Sequence, residues 1–237
     1  MTQLKIGDII IDIEQKDIKN IHLSVHPPEG KVRIAAPLYI DVDTLRVYAL
    51  TKLPWIKKQQ TKIRSQEREA PREFLNWESH YFKGKRYLLQ IEERKAHTDV
   101  ELKHNTMVLY VRPGTTRDKM QKILDEWYRG QLKCVLPAII KKWEEKLNVT
   151  VQQFGIKKMK TKWGSCNPVA RRIWLNLELA KKPPECLEYV VVHEMVHLLE
   201  RKHNDRFIWF MDHYLPKWRF YKDELNRLPV KHEDWKY

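Results

Sequence analysis

The residues of this chain best placed to do chemistry are His193-Glu194-Met195-Val196-His197 and, six positions on, His203. On a helix, residues four apart project from one face, one turn from each other. His193 and His197 can therefore both reach one ion at the roughly 2.0–2.1 Å of a zinc–nitrogen bond. Glu194 is turned by about 100° from His193, beside such an ion rather than at it. From there its carboxylate can take a proton from water, the general-base role in a metal hydrolase. A catalytic zinc takes three protein ligands and keeps one place open. His203 lies past the expected end of the helix, before a new start capped by Asn204 or Asp205, where a turn can bring it back as the third ligand. Glu200 offers a carboxylate alternative for the same role.

The elements that must position these groups are legible as patterns. Pro183-Pro184 starts the helix where a missing N–H does no harm, and Glu185 and Glu188 suit the positive end of its dipole. Val190, Val191, Val192, Met195, Val196, Leu198 and Leu199 make it apolar nearly all round, hence buried. Two imidazoles and a carboxylate are costly to bury there without a strong partner. Upstream, Val149 to Met159 and Arg172 to Leu177 read as a strand pair bracketing a turn at Lys162-Trp163-Gly164-Ser165-Cys166-Asn167-Pro168. Downstream, Asp205 to Leu215 and Lys217 to Leu228 are helical. Thr115 or Thr116 caps a long helix running to about Leu147, which Pro137 is expected to kink or split.

The N-terminal part is strand-rich. Lys5 to Ile13, Ile21 to Val25 and Lys31 to Ala35 suggest an antiparallel meander with turns at Pro27, Pro28 and Gly30, and strands return at Tyr87 to Ile91 and Met107 to Val111. Between them, Asp43 to about Arg68 has helical spacing with an interruption at Pro54. Its outer face collects Lys52, Lys57, Lys58, Lys62, Arg64 and Arg68, either an ordinary solvated face or one that meets phosphates. No internal repeat is visible. The order is α+β: an antiparallel β-rich region with a basic helix over 1–114 and a metal-binding catalytic region over 115–237, expected to pack as one compact unit.

Composition bounds the function. The 237 residues are 42% apolar with nine Trp, enough for a substantial core, and no run approaches the roughly eighteen apolar residues of a membrane span. The first residues lack the pattern of a secretory signal, so a cytoplasmic protein with no membrane partner is expected. Cys134, Cys166 and Cys186 are widely spaced, which suggests neither a disulfide framework nor a thiolate zinc site. No base can be paired with Cys166 to make it a nucleophile. The net charge of +14 implies attraction to polyanions, so nucleotides, nucleic acid and acidic protein segments are candidate partners.

The spacing from His193 through His203 is that of the metzincins, but Glu200 stands where those enzymes have Gly. A closer likeness is carried by Lys162-Trp163-Gly164-Ser165-Cys166, Trp174-Leu175-Asn176, Tyr189-Val190-Val191-Val192-His193-Glu194-Met195-Val196-His197, His203 and Phe207. With these residues the chain resembles the YgjP-like metallopeptidase family and, more distantly, the SprT-like zincins. The resemblance extends to the strand-rich start, to Trp55-Ile56-Lys57-Lys58-Gln59 and to the hairpin containing Gly84. It implies a zincin-like core with zinc held by His193, His197 and His203, and with Glu194 as base. It leaves the substrate open between peptides and nucleoside triphosphates.

Near such a metal, Gly164 would allow close backbone approach, and Ser165 and Asn176 would offer hydrogen-bond donors. Alternatively, Trp163 plugs the core and Ser165 satisfies the turn. The leading expectation is a zinc metallopeptidase. A second is a nucleoside triphosphate pyrophosphohydrolase, with Lys160, Lys162, Arg171 and Arg172 neutralising phosphates and with manganese or magnesium as possible metals. A third is a nucleic-acid-binding module with a structural metal, although such a metal takes four protein ligands and needs no adjacent Glu.

Overall fold

A computed structural model describes residues 2–26, 29–65, 72–159 and 162–227, which fall into two compact units divided near residue 70. In the first unit, β1 (Thr2–Ile6) and β2 (Ile9–Lys16) form a hairpin, and β3 (His22–His26) and β4 (Lys31–Pro37) form another. The strand expected over Lys5 to Ile13 is broken by this first hairpin, whose turn holds Gly7 at φ +57, a backbone conformation glycine adopts without strain. β4 returns between β2 and β3, giving the order β1-β2-β4-β3 with β2 and β4 parallel. The sheet is thus mixed, not the antiparallel meander expected.

α1 (Val42–Thr51) begins where the Asp41 carboxylate accepts from the Thr44 N–H at 2.7 Å. α2 (Leu53–Ser65) restarts after Lys52, with Pro54 in its first turn where no N–H is required. Ile11, Ile13, Val32, Ile34, Leu45, Ala49 and Ile56 form a closed core of this unit. Of the expected basic face, Arg68 and the side chain of Lys62 lie outside the described residues, as does the turn at Pro27-Pro28.

The second unit opens with β5 (Ser79–Phe82), β6 (Lys85–Glu93), β7 (Asp99–Lys103) and β8 (Thr106–Val111), ordered β5-β6-β8-β7 with β6 and β8 parallel. This repeats the connectivity of the first sheet, a duplication that the sequence does not display. The compact units thus divide near residue 70, whereas the sequence suggests a division after Gly114. Phe82, Leu89, Met107, Leu109 and Val111 share a core with Leu124, Tyr128 and Leu132 of α3 (Arg117–Leu147). The Tyr128 hydroxyl also donates to the Tyr81 carbonyl at 2.7 Å.

α3 runs unbroken through Pro137. Its buried residues recur every three or four positions from Leu124 to Leu147, while Pro137 is on the exposed side, where water can satisfy the carbonyl it leaves unpaired. The helix ends at Asn148 in the left-handed conformation. A three-stranded sheet follows, made of β9 (Gln153–Lys157), β10 (Gly164–Asn167) and β11 (Arg172–Asn176) in the order β10-β11-β9. The expected turn at 162–168 is thus largely an edge strand, antiparallel to β11, and the chain reverses at 168–171 instead. A short 3-10 helix, Leu177–Lys181, leads to α4 (Pro184–Val196), α5 (Asp205–Tyr214) and α6 (Trp218–Arg227). Among the described residues no helix is long and apolar enough to cross a membrane.

Candidate metal centre

α4 is the buried centre of the second unit. Cys186, Leu187, Val190, Val191, Val192, Met195 and Val196 are all buried, so beyond the exposed Pro184 and Glu185 the helix is largely surrounded by protein, and Tyr189, Val190, His193 and Glu194 meet a cleft. The last helical residue is Val196. His197 caps the helix at φ −64, ψ −13, still in the right-handed helical region, so the one-turn relation to His193 survives. The Leu198–Lys202 segment then turns the chain, and the Asn204 side chain starts α5 by accepting from the Phe207 N–H at 3.0 Å.

This turn carries His203 back over α4. The closest nitrogens of His193 and His203, both Nε2, are 3.0 Å apart, and one ligand atom from each of the three histidines lies within 4.8 Å of the others. Two nitrogens on one tetrahedral zinc are separated by about 3.3 Å, so the imidazoles are spaced to share a divalent ion. His197 Nδ1–H donates to the Glu200 carbonyl at 3.0 Å, which fixes the tautomer and leaves Nε2 free to ligate an ion. Burial and the neighbouring imidazoles push His193 down to about 3, keeping it neutral, as a ligand must be. The Glu200 carboxylate turns away to accept from the Lys202 N–H at 3.2 Å, so the alternative third ligand is engaged elsewhere.

Sequence reasoning gave no role to the residue that packs the three rings. Phe207, 2% exposed, has its ring centroid 5.0, 4.8 and 4.7 Å from those of His193, His197 and His203. The signal was its place one turn into the helix after His203. His193 Nδ1 is buried without a hydrogen bond, so packing rather than an acceptor orients that ring.

Glu194 is buried beside the triad. Loss of water pushes its carboxyl up to about 8, opposed by the charge of Lys162. A Cβ on Gly164 would lie 2.6 Å from Glu194 Oε1, so β10 meets the carboxylate at the one position where no side chain can stand. The cleft has a volume of about 750 Å³, and Lys162, Gly164 and Ser165 line it together with the triad and Glu194. Trp163 both lines it and packs against the core. Cys166 lines it too, but burial and the Glu194 charge push its thiol up to about 11, far from a ready nucleophile.

The other proposed substrate residues stand elsewhere. Asn176 is 4% exposed; its Nδ2 donates to the Met159 and Lys162 carbonyls, both at 2.8 Å, and its Oδ1 accepts from Glu178 N–H at 3.2 Å. It holds the chain that presents Lys162 instead of facing a ligand. Arg172 lies beside the Trp174 ring, and Arg171 is exposed in the 168–171 reversal at φ +44. Neither lines the cleft, whereas Arg201 and Tyr189, which were assigned no role from the sequence, do. Lys160 lies outside the described residues.

A search of curated proteins returns no match to this chain. The model of the YgjP-like, metallopeptidase domain family matches residues 19–228, spanning the cleft, the three histidines and Glu194, and the chain belongs to that family.

Proposed function

We propose that the protein is a zinc peptidase with a zincin-like core, in which His193, His197 and His203 hold the ion and Glu194 is the general base. The observation that carries this is the convergence of three imidazoles next to a buried carboxylate in an open cleft. When bound, the ion lowers the pKa of water and polarises the group under attack. Burial raises the Glu194 carboxyl to about 8 in the metal-free protein; the charge of a bound ion would favour the carboxylate, the form that takes a proton from water and returns it to a leaving nitrogen. β10 supports a peptide substrate: it is the edge of its sheet, so among the described residues one row of its backbone N–H and C=O groups has no strand partner and can pair with an extended chain.

One observation favours the nucleotide reading: Lys162 and Arg201 both line the cleft and could neutralise phosphate. The nucleic-acid reading is weakened at its expected location, since most of the +14 charge falls in residues 72–227 and not in the unit that bears the basic helix. The test is to load wild type and Glu194→Gln with zinc and assay both on denatured casein and on nucleoside triphosphates. Casein cleavage that needs zinc and Glu194 supports the peptidase. Pyrophosphate release with intact casein overturns it. The manganese and magnesium forms of the same pair identify the working metal.

A further inference from the structure

Tyr189 stands one turn before His193 on the same face of α4 and lines the same cleft. It is 6% exposed, yet its hydroxyl has no hydrogen-bond partner among the described residues. The ring is held from two sides. It meets the edge of His193 at 5.9 Å between centroids, and it stacks on Trp218 at 6.4 Å with 13° between planes. Trp218 is itself tied down by donating its indole N–H to Asp212 at 2.7 Å.

A phenylalanine would fill this space equally well and bring no polar atom that needs satisfying. The hydroxyl adds nothing to packing, and it is not fully buried, so water in the cleft reaches it in the free protein. Its ring is fixed in advance, and it lines the same cleft as the histidine triad and Glu194. These are the properties of a donor waiting for an acceptor that arrives with the ligand.

We propose that Tyr189 is a catalytic hydrogen-bond donor, its hydroxyl donating to the substrate oxygen that becomes negative during attack. The step balances within the groups named. The water oxygen forms a bond to the carbonyl carbon as Glu194 takes one of its protons, and the C=O π pair moves to the carbonyl oxygen. The Tyr189 O–H donates to that oxygen without transferring its proton. Collapse restores the C=O bond, breaks the C–N bond and releases the nitrogen with the proton from Glu194. The identity of the acceptor as a peptide oxygen rests on the peptidase reading; the presence of a donor does not.

The test compares zinc-loaded wild type with Tyr189→Phe. The probe is acetohydroxamate, a small zinc-binding acyl compound that is independent of any peptide sequence, titrated by calorimetry. The variant is expected to bind it about tenfold more weakly. On casein its kcat should fall about 10²–10³-fold with little change in KM. Zinc content and melting temperature should be unchanged. Equal acetohydroxamate affinity in the two proteins would overturn the proposal, and so would a weakening accompanied by loss of zinc, which would make Tyr189 a support for His193 only. If wild type leaves casein intact while the variant still loses acetohydroxamate affinity, the peptidase reading fails and the donor stands.

Discussion

His80 and His193 belong to the same unit, and loss of water holds each near 3, far below an ordinary imidazole. Each also keeps one buried ring nitrogen without a hydrogen bond. Their surroundings differ. His80 is 1% exposed, its nearest acceptor Glu78 Oε1 lies 3.5 Å away, and that carboxylate is already occupied by Arg72 and by the Phe74 N–H. The group braces the loop before β5 and opens onto nothing. His193 has two further imidazoles within ligand distance, a buried carboxylate on the next residue and a cleft in front. A displaced pKa therefore marks burial in both cases. Convergence of ligand atoms on open space is what separates a site from a brace.

The strongest way to break this comparison is to remove the proposed base. Glu194→Gln keeps the shape and takes away the proton acceptor, so turnover should fall by about 10²–10⁴-fold with zinc content unchanged; His80→Leu should leave turnover of the folded protein at the wild-type value. Should the two variants lose activity equally, the distinction between site and brace collapses. Gly164→Ala comes next. Its methyl would press on Glu194 Oε1, and displacing a catalytic group by about an ångström costs roughly 10²-fold. Zinc should be retained, so turnover per bound metal is the quantity to measure. Phe207→Leu loosens the packing of all three ligand rings and should weaken zinc binding by about tenfold in a chelator competition. Wild-type affinity in that variant would show that the backbone alone orients the ligands.

How much of this was readable in advance follows from the range of each interaction. His193, His197 and Glu194 are related by helix geometry over a single turn, so their spacing states their arrangement. His203 needed only one turn more. Asn176, Arg171 and Arg172 sit near the motif in sequence, but β11 is flanked by β10 and β9, and which side chains face the cleft depends on that pairing. Tyr189 had a local signal, four residues before His193, hidden because an aromatic on an apolar helix reads as core. The strands of the N-terminal half were visible individually. Their insertion of β4 beside β2, and of β8 beside β6, is long-range pairing that alternation of apolar residues does not encode. The second of those sheets shares its core with α3 for the same reason, and the compact units divide near residue 70.

The smallest expected effect isolates His80. In the unfolded chain its imidazole titrates near 6.5, while in the folded protein it stays neutral down to about 3. Between those values the unfolded state binds the extra proton, so stability is full above 6.5 and falls as pH drops through the window. The loss approaches about 1.4 kcal/mol per pH unit for one such group. His193 adds to the slope in metal-free protein, and carboxylates add to it below about pH 4.5, so the wild-type curve alone assigns nothing. The difference between wild type and His80→Leu does. Urea unfolding of both metal-free proteins at pH 6.5, 5.5 and 4.5 should show the variant's slope shallower by close to one proton. Parallel slopes would mean that the folded protein protonates His80 with the Glu78 carboxylate as its partner. The two histidines would then differ in charge state as well as in surroundings.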